Sequence, residues 1–124
     1  KNTSQLVFVE GPSLSIVTDK FDFKKGEEIK IRIINSGSVP IKFSDSYGIQ
    51  ITGLSGMLIF EPKKQLLSNG EYYILEPNEE FSFIWDQMKI DGDFAHEGLY
   101  KIKSSGFDPE GKNVEKSTTI TIWK

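Results

Sequence analysis

The chain has 124 residues, a net charge of −3 and no cysteine, a length that fits one domain. Without cysteine there is no disulfide framework, no thiolate metal site and no cysteine nucleophile, and a single histidine rules out a multi-histidine metal centre. The mildly acidic balance argues against nucleic acid, whose phosphates need clustered Lys and Arg, and against a basic membrane-surface module.

Residue usage reads as all-β. There are fifteen Ile and nine Phe but one Ala, Ala95, and alanine is the best helix former whereas Ile and Phe favour strands. Fourteen Lys stand against one Arg, Arg32. This fits a thermophile trend or an AT-rich genome equally well.

Short apolar alternations broken by turn residues predict an antiparallel sandwich. Gln5–Val9 and Ser13–Val17 read as opening strands separated by Gly11-Pro12, where Pro12 forbids a continuous ladder. Lys24 to Glu27 makes a turn. Glu28–Asn35 then alternates, with Ile29, Ile31 and Ile33 on one face and Lys30 and Arg32 on the other. Asn35 to Ser38 closes a hairpin into Val39–Ser44, where Ile41 and Phe43 face inward. Ile49 to Ile51 and Met57 to Phe60 follow, with glycines at 48, 53 and 56 allowing bulges. Lys63–Gly70 reads as a loop and Tyr72–Leu75 as a short strand. Phe81, Phe83 and Trp85 share a strand face. Asp86–Gly98 is a long polar loop, Leu99–Ser104 a strand, Phe107–Asn113 a turn-rich loop, and Val114–Trp123 the final strand. Roughly seven to nine strands in so short a chain imply two packed sheets. Tyr100 opens a late strand after a long loop, which matches the tyrosine corner of Greek-key sandwiches. Its hydroxyl is expected to bond backbone across that corner.

Three motifs bear on fold and function. Asn35-Ser36-Gly37-Ser38-Val39-Pro40-Ile41 resembles the N-x-G-x-x-P-I hairpin of bacterial and archaeal Ig-like modules. Leu75-Glu76-Pro77-Asn78-Glu79, Phe83-Ile84-Trp85-Asp86-Gln87, Asp91-Gly92 and Gly98-Leu99-Tyr100 together resemble the BsuPI-type intracellular proteinase inhibitor family, a small Ig-like sandwich, over Phe21 to Ile102. Two departures stand out. Ser46-Tyr47-Gly48 replaces an aromatic–Asp pair, and Met57–Pro62 replaces a tryptophan-rich stretch. By type, the Ile- and Lys-rich composition also resembles the soluble domain of archaeal envelope proteins, of which the archaellum stator protein F is an example. That resemblance implies residues 1–124 as one Ig-like Greek-key sandwich behind an N-terminal membrane anchor, on the outer side of the membrane. The start at Lys1 rather than Met is read the same way.

Catalytic, cofactor and metal sites are not expected. No Gly-x-Ser-x-Gly elbow surrounds a serine, and His96 sits alone in a loop. Glu27-Glu28 and Glu79-Glu80 lie beside turns, where charge is solvated. Asp91, Asp93, His96 and Glu97 crowd one loop as calcium ligands can, but without EF-hand spacing they read as an acidic loop tip. Asn2-Thr3-Ser4 is a glycosylation sequon at a frequency chance supplies. The most suggestive feature is apolar. Met57-Leu58-Ile59-Phe60 is apolar on both strand faces, and Ile49 and Ile51 share one face. Burial as an inner strand explains this, as does a partner patch. Ile49, Ile51, Met57 and Ile59 are the expected self-association surface of a homodimer, beside a second surface for an envelope or surface-layer protein. The expected function is non-enzymatic anchoring. The alternative is a proteinase inhibitor presenting Asp86–Gly98, or an accessory module of a larger protein.

Overall fold

The computed structural model describes residues 7–43, 48–62 and 73–124. The sequon at Asn2, the Ser46-Tyr47 pair and the Lys63–Gly70 loop lie outside them. The described residues form ten strands: β1 (Leu14–Thr18), β2 (Asp22–Lys24), β3 (Ile29–Asn35), β4 (Ile41–Phe43), β5 (Gln50–Gly53), β6 (Leu58–Phe60), β7 (Tyr73–Leu75), β8 (Glu80–Trp85), β9 (Gly98–Phe107) and β10 (Asn113–Trp123). The protein is an all-β sandwich of two sheets. One has the order β1-β3-β8; the other runs β2-β10-β9-β4-β7, with β5 and β6 attached along β9.

The sheets follow from period-two patterning. In β3, Ile29, Ile31 and Ile33 are all fully buried while Lys30 is exposed. Facing them across the interior are Phe43 of β4, Ile102 of β9, and Ile120 and Ile122 of β10. Trp85 closes β8 at 1 % exposure, edge-on to Tyr100 with centroids 6.1 Å apart.

β9 is the strand on which the larger sheet is organised. It pairs with β10 along its whole length, and its other edge is shared by β5 at Tyr100–Lys103 and by β4 at Phe107. Gly106 permits the β4 approach. A Cβ there would stand 2.7–2.8 Å from Ile41, the Lys42 carbonyl and Phe43, closer than real contacts allow.

Two differences from the sequence reading are physical. β2, just before the turn expected at Lys24 to Glu27, was not expected as a strand. It is three residues long and is stabilised by parallel pairing with β10, Thr121 to Asp22 and Trp123 to Lys24, a partner about a hundred positions away. β9 runs on to Phe107 rather than stopping at Ser104, because β10 supplies a partner for every residue.

The hairpin expected at Asn35 to Ser38 is instead a crossing between the sheets, because β3 pairs with β1 and β8 while β4 pairs with β7 and β9. Asn35 is buried, its Nδ2 donates to the carbonyls of Val39 and Leu75 at 2.8 and 2.7 Å, and its Oδ1 accepts Gly37 N–H at 2.9 Å. Gly37 packs directly on the Gly11 carbonyl and has no room for a Cβ. The hydroxyls of Ser13 and Ser15 both meet that of Ser36, at 2.9 and 2.8 Å. These serines tie β1 to β3.

Candidate functional site

The segment from Asp86 to Glu97 begins with three consecutive anchors. Trp85 Nε1 donates to the Met88 carbonyl at 2.9 Å, and Asp86 Oδ1 accepts Met88 N–H at 3.0 Å. Gln87 takes a left-handed backbone, φ 67°, and sends its fully buried side chain into the β2–β3 turn. Its Oε1 accepts Gly26 N–H at 2.9 Å, while Nε2 donates to the carbonyls of Lys24 and Glu27 at 2.8 and 2.9 Å. At the far end, Ala95 is fully buried and its N–H donates to the Gln87 carbonyl at 2.7 Å.

Between these anchors the chain is a small hairpin rather than an open loop. Met88 and Phe94 form an antiparallel bridge, and Lys89 N–H donates to Asp93 O at 2.7 Å. Gly92, at φ 93°, makes the turn and donates to Lys89 O at 3.0 Å. Asp91 Oδ1 accepts Asp93 N–H at 2.9 Å. That bond, with Lys89 Nζ 3.6 Å from Oδ2, holds the Asp91 carboxyl below its ordinary range. Ile90 is thereby placed on the outside, and its N–H donates to Ile59 O of β6 at 3.0 Å. This bond joins the hairpin to β6, just after the β5–β6 turn.

Where the two segments meet lies a groove of about 310 Å³, lined by Met57, Leu58, Ile59, Lys89, Ile90, Asp91, His96 and Tyr100. Its rim is apolar and open: Met57 is 65 % exposed and Ile90 61 %. Phe94 is also exposed, on the same hairpin. Tyr100 is largely buried beside it, with its hydroxyl donating to the His96 carbonyl at 2.6 Å, four residues upstream. This is the geometry a tyrosine corner requires. Burial, with Glu97 nearby, raises the Tyr100 pKa above the ordinary tyrosine value.

The expected self-association residues do not form one surface. Ile49 and Ile51 are 2 % and 0 % exposed. Both belong to the core cluster that joins the two sheets, so neither isoleucine is available to a second copy. Ile59 is half-buried against the core, and only Met57 is fully at the surface. Within the apolar run, Phe60 stacks on Phe83 and Trp85, at 6.0 and 6.2 Å, Ile59 also packs against the core, and Leu58 lies at the rim of the groove. The residue missed from sequence is Ile90. Its signal was an isoleucine between Lys89 and Asp91 in an otherwise polar loop, with no strand to bury it. Among the described residues no three His, Asp or Glu side chains come together as metal ligands.

No protein-family model matches this chain, and no curated protein does either. Solved structures superpose on it only distantly. The ApaA protein from Bordetella pertussis superposes with a TM-score of 0.47 at 16% identity, over 94% of this chain and 97% of that one. The sporulation control protein Spo0M of Bacillus subtilis gives 0.46 at 11% identity, over 91% of this chain. This chain spans 49% of Spo0M. PorZ, a surface component of the type-IX secretion system of Porphyromonas gingivalis, gives 0.44 at 13% identity, over 88% of this chain and 11% of PorZ. These likenesses are too distant to bear on function.

Proposed function

We propose that this sandwich is a non-enzymatic binding domain whose contact surface is the groove between the β5–β6 turn and the 88–94 hairpin. One observation carries the reading. Apolar side chains from two separate segments, Met57 and Leu58 on one and Ile90 on the other, stand exposed side by side, and a backbone hydrogen bond fixes the segments together. Exposed apolar clusters on a rigid frame mark interaction sites, and a pre-ordered surface loses little entropy on binding. The partner class that fits best is an envelope or surface-layer protein. The domain would then act as an extracytoplasmic anchor behind an N-terminal membrane segment, as the resemblance to archaeal envelope and archaellum proteins implies. No cofactor is required for this role.

The experiment is co-sedimentation of the chain with isolated cell envelopes of the source organism, beside the Met57→Asp/Ile90→Asp double variant. Saturable pelleting that the double variant loses supports the reading. Pelleting that the variant retains, or none above background, rejects it.

A second reading has its own observation. The 88–94 hairpin is exposed, narrow and braced at both ends by Gln87 and Ala95, which is the preorganisation a proteinase inhibitor needs. Inhibition of a protease that Ile90→Asp abolishes would favour this BsuPI-like role.

A further inference from the structure

The two walls of the groove differ in charge. One wall is the β5–β6 segment, and residues 49–60 contain no charged side chain. The other is the hairpin, where residues 86–97 carry four carboxylates, Asp86, Asp91, Asp93 and Glu97, against one ammonium, Lys89. Their net of −3 is as large as that of the whole chain. The ammonium is already engaged, because Lys89 Nζ lies 3.6 Å from Asp91 Oδ2.

The carboxylates stand where a partner would meet them. Asp91 lines the groove next to Ile90, with its side chain 62 % exposed, and the bond from Asp93 N–H fixes its orientation. Asp93 and Glu97 are exposed as well. Glu97 lies close enough to act on the phenol of Tyr100, another residue of the groove. Neither the Asp93 nor the Glu97 side chain makes a hydrogen bond or ion pair among the described residues. An acidic partner is therefore repelled at this rim, and a neutral one buries these carboxylates without compensation. At about 310 Å³ the groove is at the small end of the ~300–1,000 Å³ of ligand sites. Being open, it suits a single anchoring side chain.

We propose that the occupant is a basic segment of a partner protein, which sets one aliphatic or aromatic side chain between Met57 and Ile90 and brings lysine or arginine to Asp91, Asp93 and Glu97. This rests on the groove being a contact surface, and it fixes the sign of the partner's charge.

The test is co-sedimentation with envelopes in EDTA, so that no bridging divalent cation contributes. Raising NaCl from about 0.01 to about 0.1 M shortens the screening length from about 30 to about 10 Å. Wild-type affinity is expected to fall at least about threefold over that range, whereas a purely apolar contact does not weaken with salt. Asp93→Lys/Glu97→Lys changes only side chains that bond to nothing else, and it is expected to weaken binding at least about tenfold. Met57→Asp/Ile90→Asp adds negative charge, yet it is expected to lose pelleting because the anchor has no seat. Undiminished binding by folded Asp93→Lys/Glu97→Lys, or an affinity indifferent to salt, overturns the proposal and leaves the groove as a contact surface. Pelleting that Met57→Asp/Ile90→Asp retains means that charge alone attracts, and the groove reading and the proposal fall together. So they do if the wild type does not pellet. Should Asp93→Lys/Glu97→Lys fail to fold, the near-isosteric Asp93→Asn/Glu97→Gln decides, with an expected loss of at least about threefold.

Discussion

The side-chain carbonyl of Gln87 accepts the backbone N–H of Gly26 at 2.9 Å, across 61 positions of chain. With its two further bonds to Lys24 and Glu27, this glutamine holds the β2–β3 turn and the base of the 88–94 hairpin in one fixed arrangement. The surface beyond it inherits that rigidity.

Gln87→Ala is therefore expected to cost about 2–4 kcal/mol. It leaves three backbone groups without their partner beside a newly vacated interior position. Urea unfolding against Gln50→Ala, which touches the surface only in part, gives the comparison. A loss no greater than that of Gln50→Ala contradicts the role assigned to Gln87.

Tyr100→Phe removes one hydroxyl and its bond to His96 O, with an expected loss of about 1 kcal/mol at neutral pH. The alkaline limb adds a second readout. The Tyr100 pKa is raised above 10.0, chiefly by burial. The neutral phenol thus stabilises the fold below the unfolded value, and this contribution fades as pH rises through the folded one. The phenylalanine variant should show a shallower loss of stability above pH 10. A wild-type curve that falls no faster than the variant's there would count against the buried hydroxyl.

Arg32 and Glu80 form a bidentate pair on the outer face of the smaller sheet, with contacts of 3.1 and 2.8 Å. The hydrogen bond from Arg32 holds the Glu80 carboxyl below its ordinary value of 4.5, and Lys20 does the same for Glu27. A depressed folded pKa contributes stability above the unfolded value that is lost as pH falls through the folded one. Thermal melts should therefore decline as pH drops below 4.5, and Glu80→Gln should remove part of that decline. Both groups are partly exposed, so the effect at neutral pH is small and salt-sensitive.

Much of the architecture was legible because period two speaks directly about burial. Ile29, Ile31 and Ile33, Ile41 with Phe43, and Tyr100 with Ile102 all face the interior as their alternation requires. What stayed hidden depended on distant partners. β2 is a strand only because β10 lies beside it. Ile49 and Ile51 fit an inner strand or a partner patch equally in the sequence, and it is the core cluster between the sheets that takes them. The Trp85-Asp86-Gln87 motif stood out in sequence, but its work proves internal: an indole in the core, an Asx turn and a glutamine reaching into another turn. The groove was half visible. Met57, named in the sequence as a self-association residue, does stand at the surface, whereas Ile90 was hidden in a loop that reads as polar until the Met88–Phe94 bridge shapes it.

The central claim is that the exposed apolar groove binds a partner and does not support the fold. Its most direct test is saturable co-sedimentation with envelopes, measured together with stability, for wild type, Met57→Asp/Ile90→Asp and Ile51→Ala. The exposed pair should change stability by no more than about 0.5 kcal/mol per site and abolish pelleting. Ile51→Ala should cost about 3 kcal/mol and, where still folded, pellet as wild type does. Undiminished pelleting by the folded Met57→Asp/Ile90→Asp variant would contradict the account.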